Sequence, residues 1–72
     1  MKKKFRLENL NCAHCAERMC AGIMKIDGVE DCNISFIAQK MTLVADGENF
    51  DKILEEAQAV VSKIEPGCKI VR

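Results

Sequence analysis

The stretch Lys2–Gly28, KKKFRLENLNCAHCAERMCAGIMKIDG, changes its hydrophobic period part-way along. Residues 2–8 alternate between apolar and charged side chains, which predicts a half-buried β-strand. Residues 9–14 are mostly polar and are expected to form a loop. Beyond them, one apolar stripe recurs at helical spacing, at Cys15, Met19, Ile23 and Ile26. Asp27–Gly28 should end this helix and turn the chain.

The middle of the chain returns to the strand period. Residues 29–36 alternate, and Met41–Ala45 continues the same alternation after a short connection at Gln39–Lys40. Two alternating runs separated by so short a connection are typical of a β-hairpin.

The last third of the chain predicts a second helix and a final strand. After a turn at Asp46–Gly47, apolar residues recur at helical spacing from Phe50 to Ile64. Pro66–Gly67 should end this helix, and Cys68–Val71 is then a short strand.

The predicted order of elements is therefore β-α-β-β-α-β. Each strand has one apolar face and each helix has one apolar stripe, so two packed layers bury all of them. This predicts an α+β, ferredoxin-like sandwich, with both helices on one face of a four-stranded antiparallel sheet. A length of 72 residues allows a single domain, residues 1–72.

The charge balance and the hydropathy disfavour several classes of partner. Lys and Arg number 11, Asp and Glu number 11, and the zero net charge argues against nucleic-acid binding. The dense charge at Lys2–Lys4 is best explained as a solubilising chain end. Phe5–Leu10 is too short and too charged for a signal peptide, and no stretch approaches the roughly 20 apolar residues that span a bilayer. We therefore expect a cytoplasmic domain that is not itself embedded in a membrane.

The chain has five cysteines, an odd number that cannot pair completely within one monomer. Without a signal peptide, a reducing cytosol with free thiols is expected. In that setting a Cys-x-x-Cys motif favours metal binding or redox chemistry over a structural role.

Cys12-Ala13-His14-Cys15 is such a motif, and it lies between a predicted strand and a predicted helix. Cys15 falls in the first helical turn, where unpaired backbone N–H groups and the helix dipole favour a thiolate. Two intervening residues allow both sulfurs to face one ion. The short polar loop should leave that ion accessible.

Thiolates are soft ligands, which suits Cu(I), Zn(II), Cd(II), Pb(II) and Hg(II) and disfavours Mg(II) and Ca(II). Two sulfurs satisfy a two-coordinate ion such as Cu(I), whereas Zn(II) usually takes four ligands. An incomplete shell lets the cysteines of a partner protein take the ion by ligand exchange. We expect one bound ion, with zinc, cadmium or lead favoured and Cu(I) possible.

The segment Leu10–Glu17, LNCAHCAE, followed by Ile26–Val29, IDGV, resembles the heavy-metal-associated (HMA) domain. The resemblance covers nearly the whole chain. Members include cytosolic copper chaperones and the N-terminal domains of P-type ATPases that pump heavy metals. The resemblance implies that Cys12 and Cys15 are the metal ligands and that Leu10 is a buried prop for the loop.

Among HMA domains, the lysine-rich start, the Gln39–Lys40 turn and the ending Ile64–Val71 look most like those of bacterial zinc, cadmium and lead pumps. Such pumps often have an acidic residue before the first cysteine, and this chain has the poorer ligand Asn11. His14 between the cysteines also occurs in some copper chaperones. The resemblance therefore leaves the metal open.

Other residues near the motif are candidates of lower rank. In relatives, the residue at the position of Cys68 lies near the metal loop, so Cys68 is a possible third ligand, although a packing role in the last strand also fits. His14 should point to solvent, and Cys20 should be partly exposed and should not share the ion. Cys32 is expected in the core. Glu65 fits a solvated helix end better than an oxygen ligand.

Three functions compete. The favoured one is a non-catalytic, cytosolic metal-binding and regulatory domain of a zinc, cadmium or lead P-type ATPase, working with a metal donor or acceptor protein or with other domains of the pump. The alternative is a free-standing copper metallochaperone. A thiol–disulfide oxidoreductase is disfavoured, because this chain has no Trp, no Tyr and one Pro, and its element order differs from thioredoxin-like folds.

Overall fold

A computed structural model of the chain describes residues 1–71 and confirms the ferredoxin-like order β-α-β-β-α-β. The elements are β1 (Lys2–Glu8), α1 (Ala13–Ile23), β2 (Val29–Ser35), β3 (Lys40–Ala45), α2 (Phe50–Ile64) and β4 (Lys69–Val71). A single 3-10 turn, Gly47–Asn49, leads into α2.

The strands found within residues 1–71 form one antiparallel sheet in the order β2-β3-β1-β4. Phe5 lies opposite Met41, and Cys32 lies opposite Leu43. Because side chains alternate along a strand, these residues share the face that the helices cover. Charged and polar residues occupy the other face, for example Lys4 and Thr42, which lie opposite each other on β1 and β3.

One hydrophobic core lies between the helices and the sheet. Its buried members are Leu7, Leu10, Ala16, Met19, Ile23, Met41, Leu43, Ala45, Phe50, Ile53, Leu54, Ala57, Val61 and Cys68. The helices approach closely at Gly22, where an added Cβ would lie 2.7 Å from Val60 Cγ1. Neither helix within the described residues is long and apolar enough to cross a bilayer.

The first helix begins and ends earlier than its hydrophobic stripe suggested. Cys12 is extended, and its carbonyl accepts the Ala16 N–H at 3.1 Å, so the helix begins at Ala13 rather than at Cys15. At the other end, Ile26 lies in the turn after the helix. Gly28 has φ +94°, and a Cβ there would lie 2.9 Å from Ile53, so this turn requires glycine.

The hairpin between β2 and β3 also differs from the prediction at its tip. β2 ends at Ser35, so Phe36 lies in the turn with part of its ring exposed, and Ile37 is 95% exposed. Gln39 closes the turn at φ 55°. Alternation alone placed Phe36 on the core face because it could not show where the strand ends.

Candidate metal centre

The two cysteines of the motif, here called the outer pair, lie at the N-terminus of α1. Cys12 is the N-cap residue, with φ −148° and ψ 126°, and its side chain makes no capping hydrogen bond. Cys15 lies in the first turn. Both side chains are partly exposed. The start of the helix therefore presents two sulfurs to solvent, beside backbone N–H groups that have no intrahelical partner.

The two thiols of the outer pair influence each other's ionisation. The nearby backbone N–H and thiol of Cys15 favour a thiolate at Cys12 and so lower the pKa of Cys12. A weaker contribution comes from the backbone N–H of His14. The geometry thus stabilises a thiolate at Cys12 with its partner sulfur within reach of the same ion.

Cys15 responds in the opposite direction. The interaction of its thiol with Cys12 raises the pKa of Cys15, and burial and the negative charges of Cys12 and Glu65 add to that effect. Arg18 opposes it. Cys15 therefore keeps its proton after Cys12 has lost one, and a metal cation between the sulfurs would replace that proton.

The loop before the outer pair is held by the side chain of Gln39. Its Oε1 accepts the Leu10 N–H at 3.3 Å, and its Nε2 donates to the Leu10 carbonyl at 2.9 Å and to the Phe36 carbonyl at 2.8 Å. Leu10 itself is buried, as the family resemblance implied. The hairpin tip is thereby tied to the loop that carries Cys12. Sequence analysis identified Gln39 only as part of a turn, since no local pattern signals this contact.

A second support comes from the segment after α2. Glu65 Oε2 accepts the Asn11 N–H at 3.3 Å, and the Asn9 side-chain amide donates to the Gly67 carbonyl at 3.1 Å. Asn9 has φ 62°, which asparagine tolerates better than most residues. The negative charge of Glu65 raises the pKa values of Cys12 and Cys15 as a smaller effect. Glu65 therefore adds an anionic group beside the outer pair.

Comparison with known proteins agrees with this geometry. The sequence profile of the heavy-metal-associated domain matches residues 4–68. The chain belongs to the heavy-metal-associated domain family. The match includes both cysteines of the outer pair and every helix and strand, apart from the first residues of β1 and the last strand.

The chain is similar to proteins that transport different metals. The chain is 29% identical over 66 residues to the cadmium, zinc and cobalt-transporting ATPase of Bacillus subtilis (strain 168), an alignment that covers 92% of the chain and only 9% of that protein. It is 26% identical to the solved N-terminal domain of a potential copper-translocating P-type ATPase from Bacillus subtilis in the Cu(I)-loaded state, with a TM-score of 0.75, covering 97% of this chain and 82% of that one.

A second solved structure, the CopZ metallochaperone, shares the fold of this HMA domain at 16% identity. Its TM-score is 0.73, and the match covers 99% of this chain and 100% of that chain. The fold therefore occurs both in pump domains and in a metallochaperone.

The HMA domain buries Cys68 completely, with 0% of the residue exposed. Burial is the main cause of the raised pKa of Cys68, and the charge of Glu65 contributes. Within residues 1–71, no three His, Cys, Asp or Glu side chains are grouped to hold a metal ion. The structure thus brings Cys12 and Cys15 together, and it places the possible third ligand Cys68 in the core. His14 is exposed beside Glu17, as expected.

The remaining cysteines, Cys20 and Cys32, form a second contact, here called the inner pair. Their sulfurs lie 3.5 Å apart between α1 and β2. Cys20 is half-buried, which agrees with the prediction of partial exposure. Cys32 is also half-buried, so its assignment to the core was only partly correct, because β2 is an edge strand and leaves its core-facing side chain open to a groove. No spacing rule in the sequence signals this pairing.

Proposed function

We propose that this HMA domain captures one soft heavy-metal ion between the thiolates of Cys12 and Cys15, as the cytosolic N-terminal domain of a P-type ATPase that transports zinc, cadmium or lead. The single observation that carries the proposal is the placement of two partly exposed cysteines on one turn at a helix N-terminus, where the pKa of Cys12 is lowered. The likeness to a cadmium, zinc and cobalt-transporting ATPase supports the divalent choice. Because the chain spans 9% of that relative, the activity of the whole pump is part of the proposal.

Charge supplies a further argument for a divalent ion. Two thiolates and the Glu65 carboxylate would place three negative charges in one corner of the domain. A divalent cation neutralises more of that charge than Cu(I) does, and the attraction grows with the charge of the ion. The carboxylate beside the site thus offsets the neutral Asn11, which stands where many such pumps have an acidic residue.

Capture and release follow from the chemistry of the pair. An arriving ion displaces the thiol protons, and two sulfurs leave the coordination shell of a zinc or cadmium ion incomplete. Cysteines of a donor or acceptor protein, or of another domain of the pump, would enter that shell and exchange the ion. The domain itself would perform no catalytic step.

A copper metallochaperone is the second candidate. Copper as the metal is supported by the likeness to a Cu(I)-loaded pump domain at 26% identity and by the absence of a three-ligand group within residues 1–71, and the CopZ metallochaperone shares the fold. The parent reading frame separates the two candidates. Several hundred further residues with membrane spans would favour the pump, and a stop codon near Arg72 would favour the chaperone.

The ligand assignment is tested by titrating Cd(II) into Cys12→Ser/Cys15→Ser. We expect the wild-type domain to bind one equivalent, with thiolate-to-metal absorption, and the double variant to lose stoichiometric binding while keeping its circular dichroism spectrum. Cys20→Ala/Cys32→Ala is the matched control, since it also removes two neighbouring thiols and should keep the one equivalent. Tight Cd(II) binding by Cys12→Ser/Cys15→Ser would overturn the assignment.

A further inference from the structure

The inner pair has the components of a metal site separate from the outer one. Cys20 and Cys32 come from different elements, α1 and β2, yet their sulfurs are 3.5 Å apart and in hydrogen-bond contact. Cys20 lies five positions beyond Cys15 in the same helix, so the two pairs cannot share an ion without unwinding α1. The fold therefore holds a preassembled dithiol apart from Cys12 and Cys15.

Access to the inner pair is open. Both cysteines line a groove of about 600 Å³ between α1 and β2. The wall on the α1 side consists largely of Ala13 and Ala16, whose small side chains leave the sulfurs approachable, and Phe36 and Ile37 form the end of the groove at the hairpin tip. A small ion can reach both sulfurs without opening the core.

We propose that Cys20 and Cys32 form a second soft-metal site, which takes a two-coordinate cation of the Cu(I) class. No third His, Cys, Asp or Glu within residues 1–71 is grouped with them, so ions that require four ligands are poorly served. Asp31, the nearest acidic residue in sequence, uses its carboxylate to accept the Cys32 N–H at 2.9 Å. Two soft donors alone match the preference of Cu(I).

The sulfur separation is compatible with this ion after a small movement. With the Zn–S bond length of about 2.3 Å as a guide, two metal–sulfur bonds span about 4.6 Å when the arrangement is linear. The present 3.5 Å requires the sulfurs to separate by about 1 Å, which rotation about the Cys20 side chain can supply at the open groove. On binding, copper stays as Cu(I), both thiols release their protons to solvent, and two Cu–S bonds replace the sulfur–sulfur hydrogen bond.

The inner pair differs from the outer pair in how strongly its thiols retain their protons. The hydrogen bond from Cys32 lowers the pKa of Cys20, while that same bond and burial strongly raise the pKa of Cys32. Removing the second proton is therefore harder here than at the helix start. We expect the inner site to fill after the outer one and to hold Cu(I) at least about tenfold more weakly.

The experiment uses anaerobic Cu(I) titration against a coloured Cu(I) chelator, with a phosphine reductant. The wild-type domain should take two equivalents and Cys12→Ser/Cys15→Ser should take one. The variant that adds Cys20→Ala and Cys32→Ala should take none, although Cys68 remains. The proposal is overturned if Cys12→Ser/Cys15→Ser takes no copper. It is also overturned if the variant with four cysteines replaced still takes one equivalent.

A second measurement keeps the test valid if the variant with four cysteines replaced does not fold. In folded Cys12→Ser/Cys15→Ser, bound Cu(I) should protect Cys20 and Cys32 from iodoacetamide, as located by peptide mass spectrometry. Protection of Cys68 alone would overturn the proposed metal site. A mass lowered by two hydrogens with no copper retained would mean that Cys20 and Cys32 had formed a disulfide bond, and it would also overturn the proposal. Cd(II) binding at Cys12 and Cys15 is measured separately, so failure of one site does not imply failure of the other.

Discussion

The outer and inner pairs each contain two cysteine thiols, but the fold surrounds the two pairs differently. Cys12 and Cys15 lie on one turn at the exposed start of α1, where backbone N–H groups stabilise a thiolate. Cys20 and Cys32 join a helix to an edge strand beside the core, where burial works against ionisation. We expect position relative to the helix end and the core, rather than the number of sulfurs, to determine which pair captures metal more readily.

The largest expected effect is the change of Cd(II) affinity with pH at the outer pair. Below the lowered pKa of Cys12 both thiols are protonated, so an ion must displace two protons. Between the pKa values of Cys12 and Cys15 it displaces only one. Cd(II) affinity should therefore fall on acidification by about tenfold per pH unit in the upper range and by about a hundredfold per unit below the pKa of Cys12.

Competition titrations at a series of pH values check this change of slope. A pH-independent affinity across the range where Cys12 titrates would mean that its thiolate is not a ligand. Cys20→Ala/Cys32→Ala should reproduce the wild-type slopes, since its outer pair is intact.

The next effect should come from Gln39, which holds the outer loop. Gln39→Ala leaves the Leu10 N–H and carbonyl without their side-chain partner, and we expect a loss of about 1–3 kcal/mol in the free energy of unfolding. The freed loop should also weaken Cd(II) binding, by about tenfold. Chemical denaturation and competition titration measure the two effects.

Gln58→Ala is the matched control, because Gln58 also bonds backbone groups, at Cys68 and Ile70, but joins α2 to β4. It should lower stability without a comparable loss of affinity. Equal losses of affinity in both variants would show that Gln39 acts through global stability and not through the loop.

A smaller effect is expected at Glu65. Glu65→Gln keeps an oxygen that can accept the Asn11 N–H but removes the negative charge. Affinity for Cd(II) should fall by about two- to fivefold, and affinity for Cu(I) should fall less, because the attraction scales with ionic charge. Parallel titrations with both ions measure this, and a larger loss for Cu(I) would contradict the electrostatic role.

The smallest effect on binding should follow substitution of Cys68. Its complete burial supports a packing role, so Cys68→Ala should change Cd(II) affinity by less than about twofold while lowering stability through lost packing. A loss of more than about tenfold in Cd(II) affinity would instead establish Cys68 as a third ligand.

The architecture could be predicted because strand and helix periods are written locally in the sequence. Phe5 and Leu7 mark β1, the Met19–Ile23 spacing marks α1, and the turn at Gly28 needs a residue with positive φ. The ends of the elements could not be predicted as well. The helix α1 begins at Ala13, directly after the extended Cys12, and Phe36 lies in the hairpin turn rather than in β2.

The ligands could be proposed from sequence for the same reason, since a Cys-x-x-Cys spacing is local. The contacts of Gln39 and Glu65 with the outer loop, and the pairing of Cys20 with Cys32, join residues 12 to 54 positions apart. Such contacts depend on how the sheet orders its strands, which no single segment encodes.

Residue-resolved NMR during addition of less than one equivalent of Cd(II) tests the central claim most directly. If the outer thiolates hold the ion, the largest chemical-shift changes should lie in residues 11–16, with smaller changes at Gln39 and Glu65 and almost none at Cys32. Largest changes around Cys20 and Cys32, with residues 11–16 unperturbed, would contradict the account.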